Sequence, residues 1–382
     1  MRLDNRTYCL PALHTAKSNT LHVSPEQVRQ ILRAPPRWCS GKTSDCCAGA
    51  PGLNPDHGWR RPSLTRIQDA KSCRCLCNVS SQQEQEIPSG QTLPKIWFVE
   101  SSLRNETCLN EREACSVESA ALRNPTLTVN LLITGSMANN CSTIRTLSIL
   151  PNFRATIIDV RTEFQGTPLE PWYKAGTWKT AKNKVADMSD ALRWLILWKR
   201  GGIYLDLDVI VLKPLKDLKN GGAFEPSGFP GTAAMFFEKQ HPFLGAVHEA
   251  CIREYNNTAW GSCGPTVFNN VYKRWTTGSS SPVRILPTES FYTINYGYWH
   301  MFFSTKHTAE VLHAVRNSFG VHVWNKMSRK GSVQVGSGTA YDILARFNCP
   351  LIYESMVSRK WSEILTQASL EVGKRGPRFW NC

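Results

Sequence analysis

The stretch Gly201-Gly-Ile-Tyr-Leu-Asp-Leu-Asp-Val-Ile-Val-Leu212 constrains this chain more than any other. Its Ile, Val and Leu content, closed by Pro214, predicts a strand over 203–212. Side chains alternate faces along a strand, so Asp206 and Asp208 are expected on one side of it. Two carboxylates in an apolar strand repel each other and resist burial unless a cation compensates. Hard divalent cations, Mn²⁺ or Mg²⁺, accept carboxylate oxygens and keep positions open for phosphate oxygens. A solvated strand end would be the bland reading of an isolated pair. The apolar strand, the Gly-Gly step and the helical segment before it favour a metal and phosphate site.

The rest of the chain supports an α/β architecture. Lys95-Ile-Trp-Phe-Val99, Thr128–Thr134 and Ala155–Val160 read as strands separated by helical segments, a pattern that favours a largely parallel sheet. Ligands bind such sheets at the carboxyl ends of the strands. Lys184–Lys199 is the best helix: Val185, Met188, Leu192 and Leu195 form one apolar stripe, and Gly201-Gly202 ends it. Residues 1–88 differ, being rich in Pro, Ser, Cys and Arg without sustained periodicity. They predict a stem or disordered region, leaving 89–382 as the catalytic domain.

The chain has 14 cysteines, with Cys39, Cys46, Cys47, Cys73, Cys75 and Cys77 clustered early and lacking zinc-finger spacing. Five glycosylation sequons, at Asn5, Asn78, Asn105, Asn140 and Asn256, join them in favouring disulfides and a secretory-pathway lumen. No signal peptide or membrane span is visible, so a targeting or anchoring segment is expected to be missing. The 45 Lys+Arg against 30 Asp+Glu give a net charge of +15, suited to anionic partners. No nucleic-acid recognition motif is present, and a nucleic-acid partner is not expected.

Ser189-Asp190-Ala-Leu-Arg193 followed by Gly201-Gly-Ile-Tyr-Leu-Asp206-Leu-Asp208 resembles the sugar-binding D-x-D region of GT-A glycosyltransferases. Tyr255–Pro265, Leu286-Pro287-x-Glu289-x-Phe291-Tyr292 and His322-Val-Trp324-Asn325-Lys326 resemble the α-1,4-glycosyltransferase family. The resemblance spans about residues 90–370. It implies a GT-A fold: a Rossmann-like mixed sheet flanked by helices. Within that fold it implies a donor-binding region near 110–235 and an acceptor-side region near 245–372. It also implies Mn²⁺ (or Mg²⁺), a UDP-sugar donor and retention of anomeric configuration. The implied reaction moves galactose or an N-acetylhexosamine onto a lactosylceramide-like glycosphingolipid in α-1,4 linkage. A Golgi enzyme, membrane-associated in its full-length form, is implied as well.

The resemblance also assigns roles by position. Asp206, Asp208 and His322 are the implied metal ligands, with Asp206 also able to touch ribose. Asp190 and Arg193 would hold donor sugar or ribose hydroxyls, with Tyr204, Trp324 and Asn325 beside them. Trp97 and Phe98 open the first strand, where uracil packs, with one of the two expected to be a plain core residue. Trp260, Gly264 and Pro265 would form an acceptor-side loop, and Glu289 would orient an acceptor hydroxyl. No separate carboxylate stands out as a nucleophile, which favours front-face attack with the departing phosphate as base. The competing readings are a haloacid-dehalogenase-type phosphatase, whose D-x-D also follows an apolar strand, and a non-catalytic, transferase-like glycan binder.

Overall fold

A computed structural model describes residues 94–102, 106–275, 281–329, 331 and 333–360. The expected stem at 1–88, with its cysteine cluster, lies outside the described residues.

The main sheet has seven strands in the order β10-β8-β9-β6-β1-β3-β5. They are β1 (Ile96–Glu100), β3 (Val129–Ile133), β5 (Phe153–Ile157), β6 (Gly202–Leu205), β8 (Gly221–Phe224), β9 (Pro230–Phe237) and β10 (Arg284–Leu286). The β5-β3-β1-β6 half is parallel, while β9 runs antiparallel to both β6 and β8. This is the mixed α/β sheet that the sequence resemblance implies. Two short ladders lie apart from it: β2 (Glu106–Thr107) with β4 (Ser136–Met137), and β7 (Val209–Val211) with β11 (Gly320–His322).

The predicted strand over 203–212 is two strands. Asp206, Leu207 and Asp208 form a turn between β6 and β7, closed by the Val209 N–H donating to the Asp206 carbonyl at 3.1 Å. Hence the two carboxylates share a side because the chain turns there, not because strand side chains alternate. β6 stays in the large sheet, and β7 leaves it to pair with β11.

The helix Lys184–Arg200 is buried on more than the one stripe its periodicity suggested: every residue from Asp190 to Leu197 is buried. Trp194 is wholly enclosed, donating from Nε1 to the Cys263 carbonyl at 2.8 Å and standing edge-on to Phe268. Val185, assigned to the stripe, is 42% exposed because the helix's first turn projects beyond the core. At the other end the chain must reverse into β6 against neighbouring backbone. Gly201 and Gly202 have φ of 63° and 105°, and a Cβ on Gly202 would sit 2.3 Å from the Lys95 carbonyl oxygen. Glycine meets both demands.

All six cysteines among the described residues are paired: Cys108–Cys141, Cys115–Cys349 and Cys251–Cys263. Cys115–Cys349 closes a loop across a sequence separation of 234 and ties the helix Glu111–Arg123 to the C-terminal segment. One turn further along that helix, buried Glu118 accepts the backbone N–H groups of Leu351 and Ile352 at 2.8 and 2.9 Å. Burial outweighs these two bonds and pushes the Glu118 carboxyl from 4.5 up to about 8.

The carboxyl therefore stays protonated in the folded chain over a range where the unfolded chain ionises it. Below pH 4.5 both states hold the proton and the stabilisation is complete; it is lost as pH rises to about 8. Stability is expected to fall by up to about 1.4 kcal/mol per pH unit within this window. Glu118→Gln should flatten that slope, as read from urea midpoints across the window. A slope unchanged in the variant would assign the pH dependence to other groups.

Candidate metal and donor site

Asp206, Asp208 and His322 each place one ligand atom within 4.8 Å of the others. Ligands about 2.1 Å from a shared octahedral ion are separated by roughly 3 to 4.2 Å, so a divalent cation fits with minor adjustment. Each ligand is held differently. Asp206 continues from β6, its N–H donating to the Ala233 carbonyl at 2.8 Å, and Tyr204 Oη donates to its Oδ1 at 2.8 Å. Asp208 accepts the Asn325 N–H at 2.8 Å and faces His322 Nε2 at 3.0 Å. His322 is buried at the end of β11, where its pairing with Val209 on β7 sets it beside the turn. Its Nδ1 is buried without a hydrogen-bond partner among the described residues.

The electrostatics separate the two aspartates. Burial opposes charge on Asp208, but the imidazole of His322 and the Asn325 N–H outweigh it, leaving the carboxyl below its usual range. Burial raises Asp206; Arg193 opposes that rise and the charge on Asp208 adds to it. Burial disfavours charge on His322, yet the Asp208 carboxylate overcomes this and raises its pKa. A metal bound there would take neutral imidazole, so loading would release that proton.

Trp324 is an aromatic residue in left-handed backbone, with φ of 56° and ψ of 54°. Such a conformation is costly for a bulky side chain. It allows one short segment to fasten Asp208 twice: the Val323 N–H donates to its carbonyl and the Asn325 N–H to its side chain. The Trp324 ring lies 4.0 Å from that of His322, and its Nε1 donates to the Ile294 carbonyl.

Several residues assigned to ligand contact serve another purpose. Arg193 is buried and its donors are spent on the protein: on Ser189, on the carbonyl and hydroxyl of Thr232 at 2.9 and 2.7 Å, and on Asp190 and Asp206 at 3.2 and 3.4 Å. It orients Asp206 and has no donor left for a sugar. Tyr204 is enclosed and acts on Asp206 through its hydroxyl. Trp97 and Phe98 lie in the core, Trp97 donating to the Gly201 carbonyl at 2.7 Å, so neither ring is open to a base. Asp190 is buried against Arg193, and burial raises its carboxyl to about 6. Gly264 packs over it: a Cβ there would lie 2.2 Å from Asp190 Oδ2, so the glycine makes room for a carboxylate and offers nothing to an acceptor. Pro265 starts the helix Pro265–Trp275.

Trp260, in contrast, is 57% exposed, with Lys326 Nζ 5.3 Å from its ring. Lys326 also acts on Asp190, which joins Trp260 to the site. The structure does not bring Glu289 there. Its side chain is exposed, and its carbonyl is held by Thr293 and Ser318, four residues before His322.

Three further residues come to the site, and two of them, Arg112 and Glu225, have no signal in the sequence. Arg112 acts on Asp208 from the start of the helix Glu111–Arg123. Tyr292 accepts the Ala233 N–H at 3.0 Å and stands edge-on to His322. Glu225, at the turn after β8, acts on His322, Asp206 and Arg193; burial raises its carboxyl, with the imidazole opposing. Tyr292 closes the motif Leu286–Tyr292, though the resemblance assigns it no role; Arg112 and Glu225 have no motif or period of their own, and only tertiary pairing places them.

A cavity of 820 Å³ adjoins Asp208 through Asn325, whose Oδ1 is buried without a hydrogen-bond partner among the described residues. Arg112, Arg329, Arg359 and Lys360 line it against Glu111 and Glu113, an excess of two positive charges. Such a cavity suits an anion with polar edges, and a nucleoside diphosphate has both.

A family model for the glycosyltransferase sugar-binding region containing the DXD motif matches residues 110–225, and one for the alpha 1,4-glycosyltransferase conserved region matches 236–356. Lactosylceramide 4-alpha-galactosyltransferase from Homo sapiens is 34% identical over 281 residues, covering 70% of this chain and 78% of its own. The chain belongs to the α-1,4-glycosyltransferase family. The Homo sapiens alpha-1,4-N-acetylglucosaminyltransferase is 29% identical over 279 residues, 69% of this chain and 80% of its own. Among solved structures, the PaToxG glycosyltransferase covers 69% of this chain and 87% of its own at 18% identity, with a TM-score of 0.37. The chain is thus a glycosyltransferase, which removes the phosphatase reading of its D-x-D. Family members of this kind use a divalent metal and a nucleotide-sugar donor.

Proposed function

We infer that this enzyme transfers galactose from UDP-galactose to a lactosylceramide-like glycosphingolipid, forming an α-1,4 linkage with retention. The observation that carries the reading is the convergence of Asp206, Asp208 and His322 beside a cationic cavity. The galactosyl donor follows the 34% identical relative; the 29% identical one makes UDP-N-acetylglucosamine the competing donor.

In this reading Asp206, Asp208 and His322 would hold Mn²⁺, which when bound would supply positive charge to the diphosphate leaving group. Arg193 and Tyr204 keep Asp206 aimed, and the Asn325 N–H and Trp324 backbone keep Asp208 aimed. Arg112 and the cations of the cavity receive the nucleotide phosphates. Trp260 offers an exposed aromatic face on which an acceptor sugar stacks. The three disulfides and the exposed sequons at Asn140 and Asn256 support a Golgi lumen.

The test is a panel of UDP-galactose, UDP-N-acetylgalactosamine and UDP-N-acetylglucosamine against lactosylceramide and soluble glycans, with Mn²⁺, Mg²⁺ or chelator. Galactosyl transfer to lactosylceramide with metal, and none with chelator, is expected. Transfer only to soluble glycans, or only from N-acetylglucosamine, would replace the acceptor or donor assignment.

A further inference from the structure

Retention needs either an enzyme nucleophile or attack from the face the leaving group departs. The carboxylates of the site can therefore be taken one by one. Asp208 is bound to Asn325 and His322, and Asp206 to Tyr204 and Arg193. Asp190 is paired with Arg193, and Asp187 accepts Tyr255 Oη at 2.7 Å. Glu225 differs: among the described residues its side chain takes no hydrogen bond, yet it is only half-buried and within the field of Asp206, Arg193 and His322.

Its placement is fixed by backbone rather than by side-chain contacts. The Glu225 N–H donates to the Phe229 carbonyl at 2.8 Å, and the Gly228 N–H to the Glu225 carbonyl at 2.9 Å, closing the β8–β9 hairpin. Across the ladder Gly231 leaves a gap. A Cβ there would lie 2.8 Å from Glu225 Cγ and 2.4 Å from Tyr292 Oη. The Glu225 stem thus lies over Gly231 beside Tyr292, and the Tyr292 ring stands against His322 with centroids 5.5 Å apart. A rigid turn holding an uncommitted carboxylate next to the metal-ligand cluster has the placement of a nucleophile.

The geometry points to Glu225 as the nucleophile of a double displacement, an inference that rests on the transferase reading above. A Glu225 oxygen attacks the anomeric carbon while the bond from that carbon to the diphosphate oxygen breaks, its electron pair leaving on the nucleotide. The acceptor hydroxyl then attacks the same carbon from the opposite face. The glycosyl ester bond breaks, its electron pair returns to Glu225, and the hydroxyl proton passes to a phosphate oxygen of the departing nucleotide. Two inversions give retention.

The experiment uses the full chain with Mn²⁺ and a 2-deoxy-2-fluoro UDP-sugar without acceptor, read by intact mass and peptide mapping. One glycosyl residue on the Glu225 peptide is expected. Glu225→Gln should lose at least about a hundredfold in kcat and form no adduct, while binding UDP and Mn²⁺ as the parent does. Glu225→Ala with added azide should yield a glycosyl azide of inverted configuration, a product that a merely structural role does not give. An adduct elsewhere, a Glu225→Gln kcat within tenfold of the parent, or loss of UDP binding in that variant would overturn the assignment. A parent chain that neither binds nor hydrolyses any UDP-sugar would instead sink the transferase reading beneath it.

Discussion

Asp208→Asn is expected to lower sugar transfer by about a thousandfold or more, equivalent to about 4 kcal/mol of transition-state stabilisation. The side chain keeps its shape, and its remaining oxygen can still accept the Asn325 N–H now bound at 2.8 Å. What disappears is the charge. Asp208 is the aspartate whose pKa the surroundings hold low, so it carries full negative charge at neutral pH without help from a metal. Asp206 is held high by burial and shares its charge with Arg193. Metal affinity should therefore depend more on Asp208 than on Asp206, and Asp206→Asn should be the milder variant. The fold itself should tolerate the change, because His322 then stays neutral and no unpaired charge is left behind. Isothermal titration with Mn²⁺ and UDP separates the cases. Loss of metal-dependent UDP binding with an unchanged melting temperature is the expected pattern. An Asp208→Asn enzyme within tenfold of the parent would remove Asp208 from the metal site.

Much of this site could be read from the chain, for particular reasons. The Asp pair stood out because carboxylates are rare within apolar strands, and Gly201-Gly202 marked where helix gives way to strand. The alternation of strand and helix indicated the sheet. The two aspartates do share a side, but no single strand runs over 203–212: the apolar residues on both sides of Asp206-Leu-Asp208 read as one run, and only the departure of β7 to pair with β11 reveals the turn between them. Arg193 and Tyr204 were placed in the right neighbourhood but one layer too far forward. Spacing shows that a side chain faces the site, not whether its donors are already spent. Trp97 and Phe98 are the same lesson in apolar form, since an aromatic pair on a strand looks identical from the sequence whether it meets a base or the core. Glu225 was invisible because its turn, Phe224-Glu-Pro-Ser-Gly-Phe229, has ordinary surface composition, and its proximity to His322 depends on strands far apart in the chain.

Arg193→Met should be the most destabilising single substitution at the site. Arg193 is 6% exposed, and its guanidinium neutralises Asp190 and Asp206 while donating to Thr232 and Ser189. Removing it leaves two carboxylates in a buried setting without their chief counter-charge and strips the Thr232 carbonyl of its donor. Breaking a buried pair in this way costs about 3–5 kcal/mol. Arg193→Lys should recover little, since one ammonium cannot span the partners that the planar fork reaches. The cost should also respond to acid. Asp190 already has its carboxyl raised to about 6 by burial, with Arg193 the chief opposing charge. Without Arg193 its proton is held to still higher pH, so ionising it destabilises the fold more, and protonation on acidification should restore part of the loss. Asp190→Asn in the Arg193→Met background should restore a similar part at neutral pH, giving a coupling energy in a double-mutant cycle of roughly 1–3 kcal/mol. Thermal melts of the four proteins at about pH 5 and pH 7.5 measure both effects. Additive losses, with no recovery in acid, would mean that Arg193 supports the site through its packing on Tyr204, 5.1 Å from its ring, rather than through charge.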